Sequence, residues 1–235
     1  MAQKTILSLV WLGFVVYAFI LAPPNKPAED TLELLINLST GQWSAINPMI
    51  VAIFCIMGIL PWVYGAFILF DSPGQKISAY PFFIGSFGLG AFALLPYLIL
   101  RQPNSTWESS KGRLLKVLDS PIAAVSFLTT VVVFLFWAVS NGSWSNFVGQ
   151  WQSDRFINVM SLDFCILSLL LPLVLADDLK RRGLEKSGYL WLAIFLPLLG
   201  SLIYWCWRPQ LPIESITEQK LIASRDDPNH ATKVL

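Results

Sequence analysis

Six stretches of the chain are apolar over about the length of a membrane-spanning helix, and this limits the fold more than any other feature. They cover residues 5–22, 45–70, 80–100, 121–140, 156–176 and 188–207. A hydrocarbon core of about 30 Å takes roughly 20 helical residues. Within it every backbone amide needs a partner inside the protein, so a spanning segment is a helix or part of a closed barrel. Barrel strands would alternate apolar and polar residues in segments of about ten, and no such alternation occurs. The reading is an all-α polytopic bundle of about six spans over residues 1–208, followed by a polar tail over 209–235.

Composition agrees. Only 13% of the 235 residues are charged while 55% are hydrophobic. A soluble domain carries about 25% charged residues, so this chain lacks the charge to cover a water-facing surface. The net charge of +1 gives no basic excess for nucleic acid. Membrane lipids are the implied surroundings. The first run has a single basic residue before it, Lys4, and no small-x-small cleavage signal ahead of Pro23-Pro24, so it reads as a retained helix.

Between the first two runs, Pro23, Pro24 and Pro27 impose an extended start. Asp30-Thr31 can then cap a short helix carrying Leu32, Leu34, Leu35, Ile36 and Leu38, with Gly41 as its stop. This segment is too short to span and is expected at the interface. Seven tryptophans, Trp43, Trp107, Trp144, Trp151, Trp191, Trp205 and Trp207, stand near run ends, at headgroup level. Trp11, Trp62 and Trp137 lie deeper and read as packing residues. Six spans place both termini on one side and the 177–186 loop on the other. Basic residues divide nine to seven between the two sides. That narrow excess sets the 101–119 and 177–186 loops in the cytoplasm and the termini outside.

Candidate sites are few. Ser86 and Gly90, with Gly88 between them, form a small-residue notch for helix packing. Gly58, Gly65 and Gly200 offer others. Pro61, Pro96, Pro172 and Pro197 each interrupt a helix. Pro172 frees the carbonyl of Ser168, so its surroundings should be protein rather than lipid. Asp163 is the conspicuous polar group, a carboxyl well inside an apolar run, with Asn158 and Ser161 ahead of it. An ionisable residue at such depth is a functional candidate, and a structural hydrogen bond to a neighbouring helix is the competing reading. Asp177-Asp178-Leu179-Lys180-Arg181-Arg182-Gly183 reads as two i,i+4 ion pairs, Asp177–Arg181 and Asp178–Arg182, closed by Gly183. No second acidic motif accompanies it to hold a metal.

The three cysteines, Cys55, Cys165 and Cys206, lie in apolar runs without a Cys-x-x-Cys spacing and read as small buried hydrophobes. The only histidine is His230. A bis-histidine haem and a multi-histidine zinc site are therefore excluded within one chain. There is no phosphate-binding glycine loop, nucleophile elbow or His-Glu-x-x-His.

Two stretches carry a resemblance. One is residues 47–101, with Asn47-Pro48, Pro61-Trp62-Val63-Tyr64, Tyr80-Pro81-Phe82, Ser86-Phe87-Gly88-Leu89-Gly90-Ala91 and Leu95-Pro96-Tyr97. The other is residues 160–183. Together they resemble a family of integral membrane proteins of cyanobacteria and chloroplasts. The resemblance implies the thylakoid membrane and does not imply a reaction or catalytic residues. The functional expectation is a non-enzymatic protein that assists assembly of a photosynthetic complex or associates with its subunits, with chlorophyll or carotenoid as the cofactors in view. A chlorophyll magnesium would have to be met by Asp163, Asn158 or a water. The alternative is an enzyme or carrier acting on an isoprenoid, pigment or lipid.

Overall fold

The computed structural model describes residues 2–71, 75–102 and 112–211, and all the regular structure among them is helical. Of the polar tail over 209–235, residues 212–235 lie outside the described residues, as do Trp107 and His230. Four helices are long and apolar enough to cross a membrane. They are α1 (Ala2–Val16, extended by a π-helical turn, Tyr17–Leu21), α3 (Pro48–Asp71), α7 (Pro121–Asn141) and α9 (Arg155–Arg181). Helix α3 is the most enclosed of them, while α1 and α7 expose most of their apolar surface.

The other two apolar runs do not form single helices. Residues 80–100 divide into α4 (Tyr80–Leu89) and α5 (Ala91–Leu100), and residues 189–207 into α10 (Tyr189–Phe195) and α11 (Pro197–Trp207). Each pair folds back on itself. The rings of Phe82 and Tyr97 lie 5.5 Å apart, and those of Tyr189 and Tyr204 lie 5.4 Å apart. A continuous helix would separate residues at that sequence distance by about 22 Å, at 1.5 Å per residue. The feet of the first hairpin are tied by Gln75 and Gln102, and those of the second by Arg182 and the Pro209 carbonyl. The expectation of about six spans is corrected to four long helices and two helical hairpins. The cause is local. Gly90 adopts φ 49°, a conformation that stops an L-residue helix. Pro197 has no N–H to continue α10 and starts α11 instead.

Three shorter helices complete the chain: α2 (Ala28–Thr40), α6 (Arg113–Leu118) and α8 (Trp144–Ser153). Helix α2 starts three residues earlier than a cap at Asp30 implied. Pro27 precedes it, and Glu29 and Asp30 fall in its first turn, where the dipole favours them. Gly41, at φ 83°, stops it as expected.

The element order shows a repetition. A long helix, a short helix, a proline-interrupted long helix and a hairpin (α1, α2, α3, α4/α5) are followed by the same series (α7, α8, α9, α10/α11). Both hairpins open on a Ser-small-Tyr step, Ser78-Ala79-Tyr80 and Ser187-Gly188-Tyr189, and both are followed by arginine, Arg101 and Arg208. Because the hairpins return to the end they leave, the starts of α1 and α7 share one end of the bundle with the ends of α3 and α9. The opposite end is held by Asn47 Nδ2 donating to the Ser143 carbonyl, and by Arg155 donating to the carbonyls of Ala22 and Pro23.

A topological outcome follows. Single cysteines placed at Ser187 and Gln210, in a background without native cysteines, are expected to react with an impermeant maleimide from the same membrane face. A cysteine at Ser145 is expected to react from the other face. Opposite-face labelling of Ser187 and Gln210 would restore a sixth span.

Candidate functional site

Two polar centres are built into this apolar frame, one at mid-length and one at the hairpin-foot end. The first gathers around Asp163. It lies on α9 about 12 Å from Arg155, counting 1.5 Å per residue, and is 6% exposed. The break at Gly90 starts α5 within the bundle, and the first amides of a helix lack partners of their own. Asp163 Oδ1 accepts from the Ala91 N–H at 2.8 Å. The carboxylate thus caps a helix begun at a hairpin tip, at the positive end of its dipole. The fit is close on both sides: a Cβ on Gly90 would fall on the carboxylate. The Pro96 ring frees the Phe92 carbonyl one turn on, and Trp11 Nε1 donates to it at 3.2 Å. Trp11, expected only to pack, therefore also satisfies a broken helix.

Asp163 Oδ2 receives no donor from the described residues and lines a cavity of about 660 Å³. Its other walls include Phe54, Met57, Phe87, Phe92 and Met160, with Lys26 and Arg155 also lining it. Lys26 is paired to Asp154 at 3.0 Å. Gly58 and Gly88 line the same space and would admit a Cβ without contact within 4 Å. Gly88 therefore borders a void rather than a helix seam. Ser86 also lines the cavity, and its Oγ donates to the Phe83 carbonyl. Close helix approach falls instead at Gly65, against the Phe83 ring, and at Gly200, against the backbone of Leu192 and Ala193.

Asn158 is not brought to the cavity. Its Oδ1 accepts from the Tyr17 hydroxyl and its Nδ2 donates to the Trp151 carbonyl, tying α1 and α8 to α9. Pro172 lies inside α9. Near it the Tyr64 hydroxyl donates to the Leu167 carbonyl at 2.6 Å, while Leu169 on the same turn is exposed.

The second centre is a buried lattice of four aspartates and four arginines. Asp178, fully buried, accepts from Arg181, Arg182, Arg208 and the Tyr204 hydroxyl at 2.8–3.0 Å. Arg101 bridges Asp71 and Asp177, each at 2.7 Å. Arg181 reaches Asp71, and Arg182 reaches Asp119. Arg208 also donates to the Ala66 and Leu118 carbonyls. Of the two ion pairs expected within 177–182, Asp178–Arg182 forms. Asp177 pairs with Arg101 instead of Arg181, because Arg181 turns to Asp178 and Asp71. Burial disfavours the charge on Arg101, but Asp177 and Asp71 outweigh it and hold the guanidinium above its ordinary pKa. For Arg208 burial wins and lowers it, against the pull of Asp178. With every aspartate matched to an arginine, the lattice offers no site for a cation, and no group of three or more metal-ligating side chains occurs among the described residues.

No protein-family model matches the chain, and no curated protein or solved structure is significantly similar to it.

Sequence reading found Asp163 and the 177–182 motif but missed Asp71, Arg101, Asp119 and Arg208. Each stands alone at the edge of an apolar run, where a charge looks like an ordinary loop residue. The repetition of Tyr at the start and Arg at the foot of both hairpins was the available signal.

Two outcomes test these centres. Asp178→Ala leaves three arginines sharing a vacancy and is expected to cost about 3–5 kcal/mol, read as loss of membrane accumulation and of the thermal transition in detergent. At the tip, Asp163→Asn keeps an acceptor for Ala91 and should be mild. Asp163→Leu orphans that N–H and is expected to cost about 1–3 kcal/mol.

Proposed function

We propose that this protein is a non-enzymatic thylakoid membrane protein that assists assembly of a photosynthetic complex and holds a pigment in the cavity beside Asp163. One observation carries the reading. The cavity presents a single carboxylate oxygen with no protein donor, among aromatic and aliphatic walls; no second acid, cysteine or histidine lines it among the described residues, and Ser86, Thr31 and Lys26, which do, are engaged with the Phe83 carbonyl, the Pro27 carbonyl and Asp154 rather than with Asp163. Acid–base or covalent catalysis needs a paired group within hydrogen-bond reach, whereas binding needs a shaped apolar space and a few polar contacts. The resemblance of residues 47–101 and 160–183 to cyanobacterial and chloroplast proteins supports the thylakoid and the photosynthetic partner. A carboxylate can serve a chlorophyll magnesium or the hydroxyl of a carotenoid.

In this reading α1, α3, α7 and α9 cross the bilayer, the two hairpins are re-entrant, and α2 and α8 lie at one interface. Irregular backbone at membrane depth is tolerated where protein or a cavity surrounds it, as at the Gly90 tip. Charge supports this arrangement. Among the described residues the hairpin-foot end carries ten lysines and arginines (Lys4, Lys76, Arg101, Arg113, Lys116, Lys180, Arg181, Arg182, Lys186 and Arg208). The opposite end carries two, Lys26 and Arg155. This excess is wider than the nine-to-seven division of a six-span count, and it supports the hairpin feet and the start of α1 on the cytoplasmic face, in place of the termini-outside arrangement that six spans imply.

A second reading, a carrier for an isoprenoid or lipid, draws on the same hairpin tip, since broken helices at midplane depth form substrate sites in transporters. Affinity purification from source membranes in mild detergent, with mass spectrometry and an absorption spectrum of the eluate, separates the two. Photosystem subunits and pigment bands are expected with the wild type, and Asp163→Asn is expected to lose the pigment while accumulating normally. Recovery as a free monomer with lipid would favour the carrier. An Asp163→Asn strain with unchanged pigment and complex levels would remove Asp163 from the function.

A further inference from the structure

Six acids are buried among the described residues: Asp71, Asp119, Asp154, Asp163, Asp177 and Asp178. Five of them meet an arginine or a lysine in an ion pair. Asp163 meets none. Its one partner is the Ala91 N–H on Oδ1, and Oδ2 is unpartnered without being sealed in protein. The residue is 6% exposed, and it lines the cavity of about 660 Å³. A carboxylate held this deep is costly unless a positive charge answers it.

The walls suit such a charge. Five of the lining residues are phenylalanines, and Met57 and Met160 add polarizable sulfur. The rings of Phe19 and Phe92 meet at 64° with centroids 6.2 Å apart, an aromatic corner one residue from the Ala91 amide. Aromatic faces are electron-rich and attract a cation within about 6 Å of the ring centre. Lys26 and Arg155 also reach the lining, but Lys26 is matched by Asp154 at 3.0 Å, and Arg155 donates to the carbonyls of Pro23 and Ala22. Arg155 stands about 12 Å from Asp163 along α9. Among the described residues that end of the bundle carries Glu29, Asp30, Glu33 and Asp154 against these two bases, so the field there draws positive ions toward the cavity.

We infer that this cavity binds a lipophilic organic cation, an ammonium or phosphonium centre carried on an apolar body. The positive centre lies between Asp163 Oδ2 and the Phe19–Phe92 corner, and the apolar body fills the remaining volume. A cation answers both the lone pair and the charge of the carboxylate, whereas a hydroxyl answers only the lone pair. The volume falls in the range for drug-sized ligands, roughly 300–1,000 Å³. Gly58 and Gly88 leave the room, since a Cβ at either would meet nothing within 4 Å. The inference stands apart from the pigment reading, because it concerns the charge this oxygen accepts. A pigment in the same space would compete with the ion.

The experiment uses the full chain produced in a host without photosynthetic pigments, so its outcome does not depend on whether a pigment is recovered from source membranes. Binding of tritiated tetraphenylphosphonium is measured by scintillation proximity in nanodiscs, with empty nanodiscs subtracted. Tetraphenylborate has the same shape and the opposite charge, and the two ions are compared by thermal shift in detergent. Saturable binding and a raised thermal midpoint are expected with the phosphonium, and no stabilisation with the borate. Asp163→Asn keeps an acceptor for Ala91 but removes the charge, and is expected to weaken binding roughly tenfold or more. Phe19→Leu removes one aromatic face at an exposed position and is expected to weaken binding about two- to fivefold. Gly58→Leu fills the cavity with Asp163 intact, and is expected to abolish binding while the thermal midpoint holds or rises. Equal stabilisation by the borate, or unchanged affinity in Asp163→Asn, would overturn the inference and leave an apolar cavity indifferent to charge. If Asp163→Asn fails to accumulate, Gly58→Leu decides, and full binding by that variant would place the ion elsewhere and overturn the inference.

Discussion

The carboxylate of Asp178 is the point to which one whole end of the bundle is tied. Three arginines and a tyrosine converge on it from α9, the loop after α9 and the foot of the second hairpin. Through Arg181 and Arg182 the lattice reaches Asp71 at the end of α3 and Asp119 ahead of α7. Arg101 brings in the foot of the first hairpin. A lattice of this kind gains little net stability over a well-packed apolar core, because desolvating eight charges consumes most of the Coulombic gain. Its effect is on specificity. Four aspartates and four arginines are satisfied together only when every hairpin foot and both proline-interrupted helices end at one place, so a hairpin that crossed to the far side would strand its arginine.

With both feet fixed, each hairpin tip must stop partway along the bundle. Lengths agree: α4, α5, α10 and α11 have 7 to 11 residues, about a third to a half of a bilayer core at 1.5 Å per residue. The tips then become the places where backbone polarity meets an apolar setting, and the cavity at Asp163 lies beside the first of them. The candidate site is thus a consequence of the topology rather than an addition to it.

Apolar length, the deep carboxyl of Asp163, the stop at Gly41 and the charge balance within 177–182 were all legible in the sequence, because each is a local property of composition or spacing. The hairpins were not. A run of 20 apolar residues has the same length whether it continues as one helix or goes halfway and returns, and glycine and proline occur inside unbroken long helices such as α3 and α9 as well. Asn158 looked like a companion to Asp163 because it precedes it by five residues in the same apolar run, yet its side chain bonds to Tyr17 and Trp151.

The sequence by itself determined the solvent this protein needs, its helical class, and the absence of histidine chemistry from its apolar runs, since these depend only on which residues are present and how they are spaced. The tertiary structure decided which apolar runs turn back, which arginine answers which aspartate, and that a carboxylate on one helix meets the start of another. Those outcomes rest on contacts between residues 26 to 110 positions apart, such as Arg181 with Asp71 and Tyr204 with Asp178. No local pattern encodes them, because the energy that selects them appears only when the charges and the unpaired amides are removed from water together.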